Sequence, residues 1–230
     1  MKNPIEQIKA YKFQKESLRF YKTIISKDDL CFDIGANIGK KSKLFLKCGA
    51  RVVAFEPQTS CHKMLDKITN LNFTCVKTAI GLKAEERKLH LSDFTEIATL
   101  SDKFIASYTS QRCKWTHSET VAVNTLNYSI EKHGLPNYCK IDVEGLEWEV
   151  LSNLQHNIPM IEFEFTKEFI EETLKCIQYL SKMGYQFNYS KNNNLKLGFS
   201  SWQPQKEFSP IIKQLAAHEI HANIFCKQLA

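Results

Sequence analysis

The chain has 230 residues, 43% of them apolar, enough for one good core, and length alone favours one domain over two. No stretch approaches the roughly 20 apolar residues of a membrane span, and the opening MKNPIEQIKAYK lacks the apolar segment of a secretion signal, so a soluble, cytoplasmic protein is expected. Of the net charge of +6, residues 1–50 carry all of it, with 11 Lys/Arg against 5 Asp/Glu, which leaves 20 against 20 in the rest. That basic excess suits either a solvated helix face or an anionic partner such as RNA.

Residues 5–25 space Ile5, Ile8, Phe13, Leu18, Tyr21 and Ile25 among lysines at helical intervals, which predicts an amphipathic helix packed on the domain, within an N-terminal extension of 1–28. From 29 to 230 short apolar runs alternate with amphipathic segments. Strands are predicted at 30–34, 51–55, 72–76, 137–143, 159–165 and 185–189, and helices at 38–48, 58–70, 146–155 and 167–183, the last stopped by Gly184. Strand followed by helix, repeated, implies a doubly wound α/β fold with a mostly parallel, Rossmann-like sheet. Between the third and fourth units, residues 84–126 interrupt the pattern: RKLHLS and ETVAVNTL read as paired strands around a polar loop, a substrate-side excursion. NNN at 192–194 reads as a hairpin turn. Eight cysteines without a CxxC pair or a Cys/His cluster read as reduced core thiols, and no zinc site is expected.

Residues 33–39 read DIGANIG after the first strand. Gly35 and Gly39 let the backbone turn tightly and approach a ligand, and the following helix offers its positive N-terminus. A pyrophosphate does not suit the loop, because Asp33 repels it and Asn37 stands where the dinucleotide fingerprint has its middle glycine. Glu56 ends the second strand, 21 residues after Gly35, where a carboxylate can accept both ribose hydroxyls. Ribose, a cationic ammonium and no phosphate together describe S-adenosylmethionine better than NAD.

The fourth strand ends in KIDVEG, and strand alternation puts Lys140, Asp142 and Glu144 on one side. Glu147, Glu162 and Glu164 follow nearby. Such carboxylates can take the proton of an acceptor hydroxyl, pair with Lys140, or hold a divalent cation. Asp142 and Glu144 are the leading candidates for base or acceptor orientation. His117, His218, His221, Trp115, Trp148, Lys40, Lys41 and Lys43 carry weaker signals, each with an ordinary structural reading.

DIGANIGKKSKLFLKCGARVVAFEP, TAIG at 78–81, VNTLNYSIEKHG and YCKIDVEGLEWEVLSNL followed by MIEFEF resemble the FkbM-type S-adenosylmethionine-dependent methyltransferases, over about residues 30–165. The resemblance implies that Asp33, Gly35, Asn37 and Gly39 line the methionine end of the cofactor, that Glu56 takes the ribose and that Ala79 and Ile80 lie near the adenine. It also implies transfer to oxygen, on a small molecule or glycan. RNA methylation through the basic N-terminus, and a non-catalytic cofactor-binding module, are the alternatives. Two positions depart from the family pattern: Leu126-Asn127 stands for a Leu-Asp pair, and Asn153 for a glycine.

Overall fold

The computed structural model describes residues 4–94, 97–108, 113–191 and 195–229; the triple asparagine lies outside them. Helix α1 (Pro4–Tyr21) leads into β1 (Leu30–Ile34), α2 (Lys40–Cys48), β2 (Arg51–Phe55), α3 (Thr59–Leu65) and β3 (Phe73–Val76). The excursion comprises β4 (Ala79–Gly81), β5 (Glu85–Ser92), β6 (Ala98–Thr99), α4 (Asp102–Tyr108) and β7 (Trp115–Thr125). The chain then resumes with α5 (Leu126–His133), β8 (Tyr138–Ile141), α6 (Glu147–Leu151), β9 (Met160–Phe165), α7 (Ile170–Lys182), β10 (Tyr185–Lys191), α8 (Gln205–Ala217) and β11 (Ala222–Gln228).

Seven strands form the main sheet in the order β3-β2-β1-β8-β9-β11-β10. Neighbours pair in parallel from β3 to β9, and β11 runs antiparallel to both β9 and β10. The order reverses between β1 and β8, so the crevice beyond their carboxyl ends is the place where such sheets bind ligands. All five residues of β1 are buried, as a strand covered on both faces requires. One face packs Phe32, Ile34, Ile141 and Phe163 against α5, α6 and α7. The other packs Cys31, Phe45 and Tyr138 against α1 and α2.

All the predicted strands form, and the four helices predicted between them form with shorter bounds, most of all 58–70, which becomes α3, and 146–155, which becomes α6. Helix α3 stops at Leu65 rather than 70, closed by a turn in which Ile68 N–H donates to the Leu65 carbonyl at 2.9 Å. Helix α7 ends at Lys182, with Gly184 left-handed at φ 88° just beyond it. Only the second half of α1 packs: Tyr21 and Ile25 are buried, while Ile8 and Phe13 are exposed, so the expected docking of the whole helix is corrected to its C-terminal end.

The paired strands of the excursion are present, β5 against β7 in an antiparallel register that includes Arg87 opposite Val121. Helix α8 and strand β11 were not predicted; Pro210 sits inside α8 and masks its helical pattern. All eight cysteines are free, seven of them buried. No helix among the described residues is long and apolar enough to cross a membrane.

Candidate active site

A cavity with about 670 Å³ of empty space, open solvent included, lies at the β1/β8 switch point. Its lining includes Gly35 and Asn37 of the first loop, Glu56 and Gln58, the apolar Phe55, Ile80 and Leu89, and the acids Asp142 and Glu144. Of the seven residues expected at the cofactor, the structure brings Gly35, Asn37, Glu56, Ala79 and Ile80 to this cavity.

Asp33 and Gly39 lie behind it. Asp33 is fully buried and accepts a hydrogen bond from Ser42 Oγ at 2.5 Å. Burial pushes its pKa up, and Lys140 and Ser42 offset this only in part. Gly39 has φ 75°, and a Cβ there would lie 2.8 Å from Ile68 and 2.9 Å from Leu65. At Gly35, also φ 75°, a Cβ would lie 1.8 Å from the Asp142 carbonyl oxygen. The glycines therefore serve contact within the protein: they let the first loop pack on α3 and on the β8–α6 loop. Both glycines thus make a close backbone approach to protein, and Gly35 lines the cavity as well.

Glu56 is almost fully buried, and its two carboxylate oxygens each accept a backbone N–H, from Asn37 at 2.6 Å and Gln58 at 2.7 Å. Asn37 reaches that position through a left-handed φ of 52°. Burial raises the Glu56 pKa to about 7, against the pull of those two bonds. Each oxygen keeps a lone pair for a hydroxyl of a ligand. An acidic end for a ribose, an apolar slot for a planar ring and a polar floor fit an adenosyl group carrying an amino acid.

The opposite wall begins with a row of charges across the sheet. Asp33 pairs in register with Lys140, and Lys140 with Glu162. Burial pulls the Lys140 pKa down, but Asp142, Asp33 and Glu162 outweigh it and hold the ammonium charged. Its Nζ lies 2.5 Å from Asp142 Oδ2. Burial works against ionisation of Asp142, yet Lys140 overcomes it and keeps that pKa below the usual carboxylate value. Glu162, beneath, accepts from the hydroxyls of Tyr21, at 3.1 Å, and Tyr138.

Strand β8 stops at Ile141, so the alternation expected to carry through to Glu144 is replaced by a turn. Glu144 and Gly145 are both left-handed, at φ 53° and 93°. Glu144 is fixed by its own carbonyl, which accepts from Thr99 Oγ1 at 2.9 Å. Thr99 belongs to the excursion, which is latched to α6 by Arg87, 2.6 Å from Glu149 and 2.9 Å from the Leu100 carbonyl. The excursion thus walls the first cavity through Leu89, Ala98, Thr99 and Leu100, residues no sequence motif singled out.

Asp142, Glu144 and Glu164 each bring a carboxylate oxygen within 4.8 Å of the others. Burial first, then Asp142 and Glu147, raises the Glu144 pKa to about 8. Burial, Asp142 and Glu144 raise that of Glu164 to about 9. One ammonium cannot balance three carboxylates, so near neutrality protons supply the remaining positive charge; a divalent cation would have to displace them. Glu147 is buried to one side, accepting from the Val143 N–H at 3.2 Å.

A second cavity shares Asp142 with the first and is lined also by Lys41, Lys140, Glu164, His221 and Asn223. His221 thus has a place at the site, which β11 creates and the sequence reading could not show. His117 is exposed on β7, its Nδ1 2.9 Å from Thr116 Oγ1. Trp148 packs edge-on to Tyr179, and Trp115 to Phe104. The two departures from the family pattern touch each other: Asn127 Nδ2 donates to the Asn153 carbonyl at 2.8 Å, and neither residue lines a cavity.

The strand order, with a cavity at its switch point, defines a Rossmann-like, doubly wound α/β fold. The sequence matches the Methyltransferase FkbM domain over residues 33–187, more than half of the chain, and the protein belongs to that family. S-adenosylmethionine is accordingly its cofactor. Among solved structures, the precorrin-6Y C5,15-methyltransferase of Geobacter metallireducens aligns at 12% identity over 93% of this chain and 87% of its own, with a TM-score of 0.50, a likeness of fold alone. The plantazolicin methyltransferase BpumL aligns at 12% identity over 94% and 83%, with a TM-score of 0.48. No curated protein sequence matches the chain significantly.

Proposed function

We propose that the protein transfers a methyl group to a hydroxyl of a small molecule or glycan, with Glu144 as the base and Asp142 orienting the acceptor. One observation carries this reading: two carboxylates lining the first cavity have environments that push their pKa values apart, Glu144 up to about 8 and Asp142 below its ordinary range. Such a separation assigns different roles to neighbouring acids.

S-adenosylmethionine, when bound, supplies a methyl group on a positively charged sulfur. Gly35, Asn37, Glu56, Ala79 and Ile80 hold it, with Glu56 receiving ribose hydroxyls. An alcohol that becomes an ether must lose its proton, and Glu144, with a pKa near working pH, is suited to receive it. Asp142, kept ionised by Lys140, is suited to accept a hydrogen bond from the acceptor and hold it in line. Lys140 then acts on Asp142 rather than on the acceptor.

The test is incubation of the protein with methyl-labelled S-adenosylmethionine and separate pools of small alcohols, glycans and RNA, with and without Mg²⁺. Label in a hydroxyl-bearing pool is the expected result. Label confined to RNA would refute the assignment.

A further inference from the structure

A third cavity, a cleft of about 800 Å³, runs between α1 and the β10–β11 edge of the sheet. That is within the roughly 300–1,000 Å³ of small-molecule sites. The cleft is continuous with the site: Lys41 and Asn223 line both it and the second cavity, and Asp142 joins the second cavity to the first. Its apolar lining includes Tyr11 and Phe13 of α1, together with Phe20 and Phe225, whose rings meet edge-on at 5.6 Å.

The charged residues of the cleft are Lys40 and Lys41, and among the described residues that line it there is no carboxylate. Lys41 stands where the cleft and the second cavity meet. Its Nζ bonds to the Tyr21 hydroxyl and lies 4.0 Å from Glu162, which is fully buried and already accepts from the Tyr21 and Tyr138 hydroxyls. An ammonium has three N–H donors, and the Lys41 side chain is 32% exposed, so it keeps donors for an occupant.

The second cavity continues this polarity. Asp142 there is matched by Lys140 at 2.5 Å, and Glu164, its pKa raised to about 9, keeps its proton near neutrality and can donate it in a hydrogen bond. One negative charge is therefore complemented at Lys41, whereas a cation would be repelled. A carboxylate brings that one charge. A phosphate monoester brings about two, with Asp142 facing the second across the same cavity.

We propose that the acceptor is a hydroxy acid with an apolar body: its carboxylate sits on Lys41, its hydroxyl reaches Asp142 and Glu144, and its body lies in the cleft against the rings of α1 and Phe225. This rests on the hydroxyl-transfer reading above and adds the charge and shape of the acceptor.

The experiment uses the full-length protein, labelled S-adenosylmethionine, and lactic, phenyllactic and hydroxydodecanoic acids, each beside its neutral amide and beside the matching phosphate monoester. Expected is a kcat/KM for phenyllactic acid about tenfold or more above that for its amide, the order set by one hydrogen bond to a charged group, and also above that for lactic acid. The preference for acid over amide should shrink as salt is raised. Lys41→Gln should remove that preference through KM, with the cofactor still raising the melting temperature, and Lys41→Arg, which keeps the charge, should retain most of it. If Lys41→Gln does not fold, the wild-type comparison of acid with amide decides alone. Equal kcat/KM for acid and amide would overturn the anion site and leave hydroxyl transfer standing. Preference for the phosphate esters would overturn the carboxylate, and equal values for lactic and phenyllactic acids would overturn the cleft as the seat of the apolar body. Label released by mild alkali, which puts the methyl on the carboxylate itself, would overturn the hydroxyl reading as well. So would no label on any acceptor while the cofactor still raises the melting temperature.

Discussion

The carbonyl oxygen of Asp142 occupies the space where a side chain on Gly35 would begin, 1.8 Å from an ideal Cβ. This contact locks the two most telling motifs of the sequence, DIGANIG and KIDVEG, against each other at the ends of adjacent strands. Asp142 N–H also donates to the Ile34 carbonyl at 3.0 Å, so the carboxylate wall and the cofactor loop share one backbone framework.

Gly35→Ala should therefore damage stability and binding together. The new methyl meets backbone rather than a movable side chain, and φ 75° disfavours any L residue. A loss of about 3 kcal/mol or more is expected from chemical denaturation, with no cofactor-induced thermal shift. An alanine variant that binds S-adenosylmethionine normally would show that the two loops can separate without consequence.

The division of roles between Asp142 and Glu144 predicts different kinetic losses. Glu144→Gln removes the proton acceptor and should lower kcat by about 10²- to 10⁴-fold, with cofactor affinity little changed. Asp142→Asn leaves Lys140 without its nearest partner at 2.5 Å, so it should raise acceptor KM as well as lower kcat. In the wild type, kcat/KM should climb with pH and level off near pH 8, where Glu144 ionises. Wild-type turnover by Glu144→Gln would remove Glu144 as the base.

Cofactor affinity should itself depend on pH through Glu56. Its ionised carboxylate can accept two backbone N–H bonds and two hydroxyls, while the protonated form gives up acceptor capacity. With a pKa near 7, affinity measured by calorimetry should weaken as pH falls from 8 to 6, by up to about tenfold per unit below the pKa. Glu56→Gln should bind weakly and show no such slope.

Stability of the free protein should run the other way. Glu56, Glu144, Glu147 and Glu164 all have folded pKa values raised, to about 7, 8, 7 and 9. A carboxyl that binds its proton more tightly when folded contributes stability that is complete below its unfolded pKa of about 4.3 and is lost as pH rises through the folded value. Asp142 has the opposite sign, and its contribution is lost only in acid. The melting temperature should fall by about 5 °C or more between pH 6 and pH 9, and Glu164→Gln should flatten the upper part of that fall.

Much of the sheet was legible because buried strands such as LCFDI and MIEFEF declare themselves by apolar runs between glycine-marked loops. The cofactor side was legible for the same reason, since it is built from the ends of those strands. Asp33 reads alike from sequence whether it faces a ligand or, as here, lies against Ser42 and Lys140. The placement of Glu144 was not legible, because the strand ends at Ile141 and a left-handed turn brings the residue round to the cavity. The second cavity was the least legible. It draws on Lys41, His221 and Asn223, which are far apart in sequence and meet only because β11 returns antiparallel beside β9. Asn127 and Asn153, departures that drew notice as sequence, share a hydrogen bond from Asn127 Nδ2 to the Asn153 carbonyl and line none of the three cavities described.

Transfer to a hydroxyl with Glu144 as the base can be read from the linkage of the transferred methyl group. Wild-type protein and the Glu144→Gln variant would be incubated at pH 8 with labelled S-adenosylmethionine and a glycan pool, and the labelled product treated with mild alkali. An alkali-stable methyl ether is expected from the wild type, and a loss of about 10²-fold or more in the variant. Alkali-labile label, which marks a methyl ester, or equal label from both proteins would contradict it.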